Sequence, residues 1–260
     1  MEGAAKAFAV LESFSAERQR LSVSQIASRA GLTRAAARRH VLTLQALGYL
    51  EAEEGTQAPV RSPNYWLTHR VLRLAGNYLA SARLPRVVQP TLSRLAAQTG
   101  QAFSVAVLDG EQAVIVARSG EHRIASQALP YGVNLGARLA AFATSTGRVL
   151  LAQLTPAQLK DFLASHPRPQ LTPTPPPAPR PCADSIDAAR QQGFSEAHQE
   201  HELGVYALAV PLYDAQNRVV AAMNLVLTNA QNHPPQSRDA LQKAYLAQMQ
   251  AAAGELRLLL

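Results

Sequence analysis

The first third of the chain is governed by one ordered run of local instructions: a helix cap, a short helix, a glycine, a second cap and a second helix. Ser22 is a good N-cap, and Val23, Ile26, Ala27 and Ala30 follow at i, i+3, i+4 and i+7 before the pattern stops at Gly31. Thr33 then caps a stretch running to about Leu47, with Ala37, Val41, Leu44 and Leu47 on its inner face. The outer face carries Arg34, Ala35, Ala36, Arg38, Arg39 and Thr43. After Gly48 come the strand-like Tyr49–Ala52, a turn-rich stretch, and a second strand-like run, Asn64–Leu67. Ala7, Val10, Leu11 and Phe14 make an earlier amphipathic helix that serves as scaffold. Helix, glycine-containing turn, helix and two-stranded ribbon, in that order, define a winged helix-turn-helix.

The outer face of the second helix suits a DNA major groove, because small side chains permit close approach and arginines reach phosphates or guanine edges. A basic helix face is also what ordinary solvation produces, so the order of the elements decides here. Arg61, in the tip between the strand-like runs, is open between a minor-groove or phosphate contact and a plain surface arginine. Charge distribution agrees with a nucleic-acid module at this end. Residues 1–84 hold 11 Lys+Arg against 6 Asp+Glu, whereas residues 85–260 hold 14 against 12.

At 260 residues two domains are expected, and the division predicted is 1–67 for the winged module, 68–84 for a linker helix and 85–260 for a larger second domain. The linker is drawn from Val71, Leu72, Leu74, Ala75, Tyr78 and Leu79, capped by Thr68, and is expected to pack against another subunit. Pro85 and Pro90 lead into a helix closing near Gly100. Strands are predicted at 102–108, 113–117, 124–129, 206–213 and 219–227, and helices at 145–154, 156–165, 185–192 and 237–260. The result is an α+β domain with one antiparallel sheet flanked by helices. Between residues 167 and 181, 8 of 15 residues are proline, which reads as a loop or semi-rigid spacer. A single cysteine, Cys182, excludes an internal disulfide and a thiolate metal cluster, and suits a reducing cytoplasm. Neither a signal peptide nor a run of about 18 apolar residues is present, so no membrane partner is expected.

Four segments carry a resemblance that spans nearly the whole chain: GLTRAAARRHVLTLQALGYL, YWLTHRVLRLAGNYL, LGARLAAFATSTGRVLLA and HQEHELGVYALAVPLYDAQNRVVAAMNLVL. They resemble the IclR family of bacterial regulators. Through RLAAFATSTGRVLLA the chain is most similar to the β-ketoadipate-pathway group, which answers to protocatechuate, 4-hydroxybenzoate and terephthalate. The resemblance implies a GAF-like effector-binding second domain and a DNA-binding transcriptional activator of aromatic-acid catabolic genes. Its implied partners are double-stranded operator DNA, a small aromatic carboxylate, a homodimer or tetramer, and RNA polymerase, with no cofactor, metal or enzymatic activity. Two departures stand out, the proline-rich segment and Ala140, where many relatives carry proline.

The resemblance further places an effector pocket between the sheet and the loop before the helix near Ser145, and implies Gln127, Ser145, Thr146, His198, Ala207 and Asn224 as its residues. A helix start at Ser145, Thr146 and Gly147 offers free N–H groups to a carboxylate, although, taken alone, ordinary capping is the better account of serine and threonine there and needs no ligand. Arg138 and Arg123 are added as cations for a carboxylate, the alternative being surface pairs with Glu196, Glu200 or Glu202. Tyr206 is open between stacking on an aromatic ligand and the core. The HQEHE run has two histidines and no second ligand set, so polar contacts to a ligand, or merely a solvated loop, are preferred to zinc. An enzyme is disfavoured by the lack of a nucleophile, base and acid at recognisable spacing or a phosphate-binding glycine loop. A repressor answering a non-aromatic acid, or a DNA-binding oligomer with no effector, stay as alternatives.

Overall fold

The computed structural model describes residues 2–15, 18–53, 62–119, 134–166, 170–172, 182–228 and 242–260. The chain divides into two compact units, Met1–Ser81 and Ala82–Leu260. No helix among the described residues is long and apolar enough to cross a membrane.

The first unit contains α1 (Glu2–Glu12), β1 (Leu21–Ser22), α2 (Val23–Arg29), α3 (Arg34–Ala46), β2 (Leu50–Ala52), β3 (Asn64–Leu67) and α4 (Leu72–Ser81). Ser22 and Gln25 close a capping box at the start of α2, each side chain meeting the other's backbone N–H. Gly31 takes up a φ of 65°, the left-handed conformation that the turn into α3 needs. Thr33 caps α3 by accepting a bond from the Ala36 N–H at 3.3 Å. Val10, Ile26, Ala37, Val41, Leu44, Leu50 and Tyr65 form one core. Leu47, expected on the inner face, is 50% exposed, because α3 ends at Ala46 and Leu47 is its C-cap. The sheet has three strands in the order β1-β3-β2, all antiparallel, so the two predicted strands gain a third, Leu21–Ser22. Two residues are too few for any periodicity to reveal.

The second unit is built on a six-stranded antiparallel sheet, in the order β6-β5-β4-β9-β8-β7. Its strands are β4 (Ala102–Asp109), β5 (Gln112–Arg118), β6 (Arg138–Ala140), β7 (Ser195–His198), β8 (Val205–Tyr213) and β9 (Val219–Thr228). Its helices are α5 (Arg83–Thr99), α6 (Ser145–Leu151), α7 (Pro156–Ser165), α8 (Cys182–Gln192) and α9 (Ala247–Leu256). The short strands β6 and β7 were not foreseen, and the expected strand 124–129 and most of the proline-rich segment lie outside the described residues. Pro85 and Pro90 do not precede α5 but sit inside it. Pro85 falls in the first turn, where no N–H is needed, and Pro90 forgoes one helical bond. The predicted linker helix is likewise divided, since α4 ends at Ser81 and α5 begins at Arg83.

Side chains alternate across a strand, and the two faces of this sheet are differently furnished. Leu208, Val210, Leu212, Met223, Leu225 and Leu227 pack with Val88, Leu92 and Leu95 of α5 and with Met249 and Leu256 of α9. The other face presents Ala106, Ala113, Ala209 and Ala222, covered by Val149 and Leu150 of α6. Ala197, Ala207 and Val226 continue that face toward the β7 edge. Large residues fill one side; small ones leave space on the other.

Candidate functional site

On α3, Thr33, Arg34, Ala35, Arg38, Arg39 and Thr43 are exposed and Ala36 is half-buried. Among the described residues none of these three arginines lies within ion-pair distance of a carboxylate. Their charge therefore remains available to an anionic partner. The Thr43 hydroxyl donates to the Arg39 carbonyl at 3.0 Å, so it is spent within the helix. Arg61 lies outside the described residues. Beside α3, Trp66 of β3 donates its indole N–H to Glu51 of β2 at 3.0 Å, and the Arg20 guanidinium stands 4.5 Å from the Trp66 ring. These contacts pin the strands of the wing, and sequence spacing alone offers no trace of them.

In the second unit the alanine-bearing face opens into a recess of about 460 Å³, part of it open to solvent. Ala197, Ala207 and Val226 make its apolar floor, Leu139 and Ala143 one wall, and the start of α6 contributes Thr144, Ser145 and Thr146. Thr144 is the N-cap, accepting from the Gly147 N–H at 3.1 Å. Ser145 and Thr146 are thus the first helical residues rather than the cap. Both are buried, at 0% and 1% exposure, and neither hydroxyl has a hydrogen-bond partner among the described residues. A buried hydroxyl left unbonded costs about 1–3 kcal/mol, so each of these two gains from a hydrogen-bonding partner. With seven residues, α6 is too short for its dipole to add much.

Gly147 explains how α6 approaches so closely. A Cβ at this position would lie 2.1 Å from the Ala141 carbonyl oxygen and 2.2 Å from its Cα, so only glycine allows the helix to rest on the 3₁₀ turn Ala141–Ala143. Arg148, one residue on, is buried and donates to the Phe142 carbonyl at 3.1 Å, to the Glu196 carbonyl at 3.2 Å and to Glu200 Oε1 at 3.0 Å, while its second terminal nitrogen meets Glu200 Oε2. This bidentate pair ties the turn between β7 and β8 to α6. That turn supplies Glu200, His201 and Glu202 to the recess. Burial holds the His201 imidazole below its ordinary range, hence neutral, and pushes the Glu202 carboxyl up. Asn224 of β9 faces the recess with its Oδ1 accepting the Ser104 hydroxyl.

Of the expected effector residues, Ser145, Thr146, Ala207 and Asn224 converge on the recess. Tyr206 and His198 do not. They are cross-strand partners, stacked edge to face at 5.5 Å, and Tyr206 packs with the α5–α9 core on the opposite face. Ala207 and Tyr206 are consecutive on one strand, so period-two alternation forbids both from facing the same ligand. Arg138 lies at the outer edge of β6, half-exposed, held by Asp109 at 2.8 Å and by Gln112. Gln127 and Arg123 lie outside the described residues. Sequence reasoning missed Arg148, Glu200, His201 and Glu202 as parts of this site. The run of charge and histidine around 198–202 was visible, but which of its members turn inward depends on the turn.

Comparison with known proteins follows the same division of the chain. Residues 3–54 match the IclR helix-turn-helix domain, and residues 76–256 match the family described as bacterial transcriptional regulator IclR, C-terminal. The chain is 40% identical to the Pca operon regulatory protein of Acinetobacter baylyi over 261 residues, spanning 98% of this chain and 87% of that protein. It is 44% identical to the p-hydroxybenzoate hydroxylase transcriptional activator of the same organism over 223 residues, spanning 85% of this chain and 79% of that protein. Among solved structures it resembles the inducer-binding domain of a double mutant of the PobR transcription factor from Acinetobacter in complex with 3-hydroxybenzoic acid. That match has a TM-score of 0.61 at 36% identity and covers 68% of this chain and 98% of that one.

Proposed function

The chain belongs to the IclR family of bacterial DNA-binding transcriptional regulators, and from that premise we propose that it activates genes of aromatic-acid catabolism when a small aromatic carboxylate occupies the recess beside α6. The observation that carries this reading is the pair of buried hydroxyls of Ser145 and Thr146, unpartnered among the described residues, above an alanine-lined floor. An aromatic ring gains from the apolar floor, and a carboxylate accepts from hydroxyls. The 44% identity to an activator named for p-hydroxybenzoate hydroxylase supports both the ligand class and the sign of regulation.

In this reading Thr33, Arg34, Ala35, Ala36, Arg38, Arg39 and Thr43 form the face of α3 that meets operator DNA. The protein acts as a homodimer or tetramer, since one helix-turn-helix makes too few contacts for a specific site, and activation proceeds through RNA polymerase. Calorimetric titration of the full chain with protocatechuate, 4-hydroxybenzoate and terephthalate tests the sensor. Saturable binding of at least one acid is expected, weakened about tenfold by Ser145→Ala, the loss of one hydrogen bond of about 1.4 kcal/mol. Absence of binding by all three would remove the effector from the proposal.

A further inference from the structure

The end of α3 and the start of α4 meet in one small joint. After the C-cap Leu47, Gly48 takes a φ of 77° and donates its N–H to the Gln45 carbonyl at 2.8 Å, while Tyr49 donates to the Leu44 carbonyl at 2.9 Å, the paired bonds of a Schellman motif. The carbonyls of Gly48 and Tyr49 are then both taken by Thr68, whose hydroxyl donates to Gly48 at 2.6 Å and whose N–H donates to Tyr49 at 3.0 Å. The N–H bond continues the ladder that pairs Leu50 with Leu67; the hydroxyl bond reaches beyond it. The same hydroxyl accepts the Arg70 N–H at 3.2 Å, capping the 3₁₀ turn His69–Val71 that runs straight into α4. Arg70 lays its side chain back over the joint. Its guanidinium stands 5.4 Å from the Tyr49 ring, and a Cβ at Gly48 would lie 3.2 Å from its Nη1. No residue of α4 is buried, so packing within its own unit gives this helix little direction, and its attachment decides where it points.

We propose that Thr68 and Arg70 are positioning residues for DNA binding. They lock α4 to the C-terminal end of α3, so that the two copies of a dimer hold their α3 helices at one separation and accept one spacing of half-sites. This rests on the reading of α3 as the helix that meets operator DNA and of the protein as a dimer. Half-sites of a helix-turn-helix dimer lie a whole turn of DNA apart, and one inserted base pair moves a half-site by about 3.4 Å and rotates it by roughly a tenth of a turn. A stiff joint cannot follow that displacement. A loosened joint follows it, but binds even the correct spacing more weakly, because the second half-site is met at a lower effective concentration.

The test titrates the full chain by fluorescence anisotropy with duplexes that the wild type selects from a random pool. Three are compared: the paired site, the same site with one base pair inserted between its halves, and a single half-site at low salt. The wild type should lose about tenfold in affinity on the insertion. Thr68→Val keeps the shape of threonine without its hydroxyl, and Arg70→Met keeps an unbranched stem without the cation. Each should bind the paired site about tenfold more weakly than the wild type, lose less than about threefold on the insertion, and bind the single half-site within about twofold of the wild type. Thr68→Ser, which retains the hydroxyl, should restore the wild-type pattern. The single half-site separates the two roles, since residues that merely supported the fold of α3 would weaken it as much as the paired site. A spacing preference unchanged in either variant, or a single-half-site affinity that falls with the paired one, overturns the inference while the DNA-binding reading stands, as does a wild type indifferent to the insertion. Selection of sites without paired halves overturns the inference together with the dimer, and selection of no duplex overturns it together with the role of α3.

Discussion

His201 occupies a position where one proton changes both stability and the character of the recess. Burial lowers its folded-state pKa from 6.5, so on acidification the unfolded chain takes up the proton first. Stability is therefore full above about 6.5 and lost as pH falls from there toward the lower folded value. Glu202 acts in the opposite sense, since burial raises its pKa from 4.5 and its contribution is lost as pH rises through that window. Asp214 is held below 3.8 by the Arg218 backbone N–H and by the Arg218 and Gln216 contacts around it, so it matters only in stronger acid. Thermal melts of the wild type should show a falling midpoint between pH 7 and 5.5, and His201→Gln should flatten that segment. An unchanged slope in the variant would show that His201 is not the group responsible. This residue was hidden in the sequence. The HQEHE run displays two histidines three positions apart, and only the turn geometry sends His198 toward Tyr206 and His201 toward the recess.

Elements were legible where their signals are local. The caps Ser22 and Thr33, the apolar stripe of α3 and the long strands β4, β5, β8 and β9 all follow from capping chemistry and from periods of 3.6 or 2. Strands of two to four residues, such as β1, β6 and β7, are fixed by partners distant in sequence and carry no period of their own. The same contrast holds at the site. Ser145 and Thr146 were reached through the family resemblance, to which the helix start lent only support, whereas Arg148 was not reached, because its role depends on Glu200, 52 residues away. For α3 the local reading yields a direct prediction. Arg38 and Arg39 project from an exposed face and hold no carboxylate among the described residues, so replacing either with alanine should leave the melting temperature unchanged. Each arginine that contacts a phosphate should cost affinity for DNA and reduce the slope of log K against log salt by about one. Fluorescence anisotropy across a salt series reads both quantities, and equal affinities and slopes for wild type and both variants would place the DNA contact elsewhere.

At the scale of the whole molecule, the helix α4 is the element whose sequence asks for a partner that its own unit does not provide. Leu74 and Tyr78 lie on one stripe at i and i+4, yet no residue of α4 is buried, and the two are 50% and 47% exposed. Exposed apolar stripes of this kind mark association surfaces more often than solvated ones. A second copy is the occupant consistent with a helix-turn-helix, where a dimer presents two recognition helices to one DNA face. Leu74→Glu combined with Tyr78→Glu should therefore shift the protein toward monomer in sedimentation velocity. Operator affinity should fall by at least tenfold, because each half-site then binds alone and the effective-concentration gain of the second is lost. Effector affinity should change little in the absence of DNA, since every described lining residue of the recess belongs to the second unit. If the variant sediments as the wild type does, α4 is not the association surface. If it becomes monomeric yet keeps full operator affinity, dimerisation through α4 is not what positions α3 on DNA.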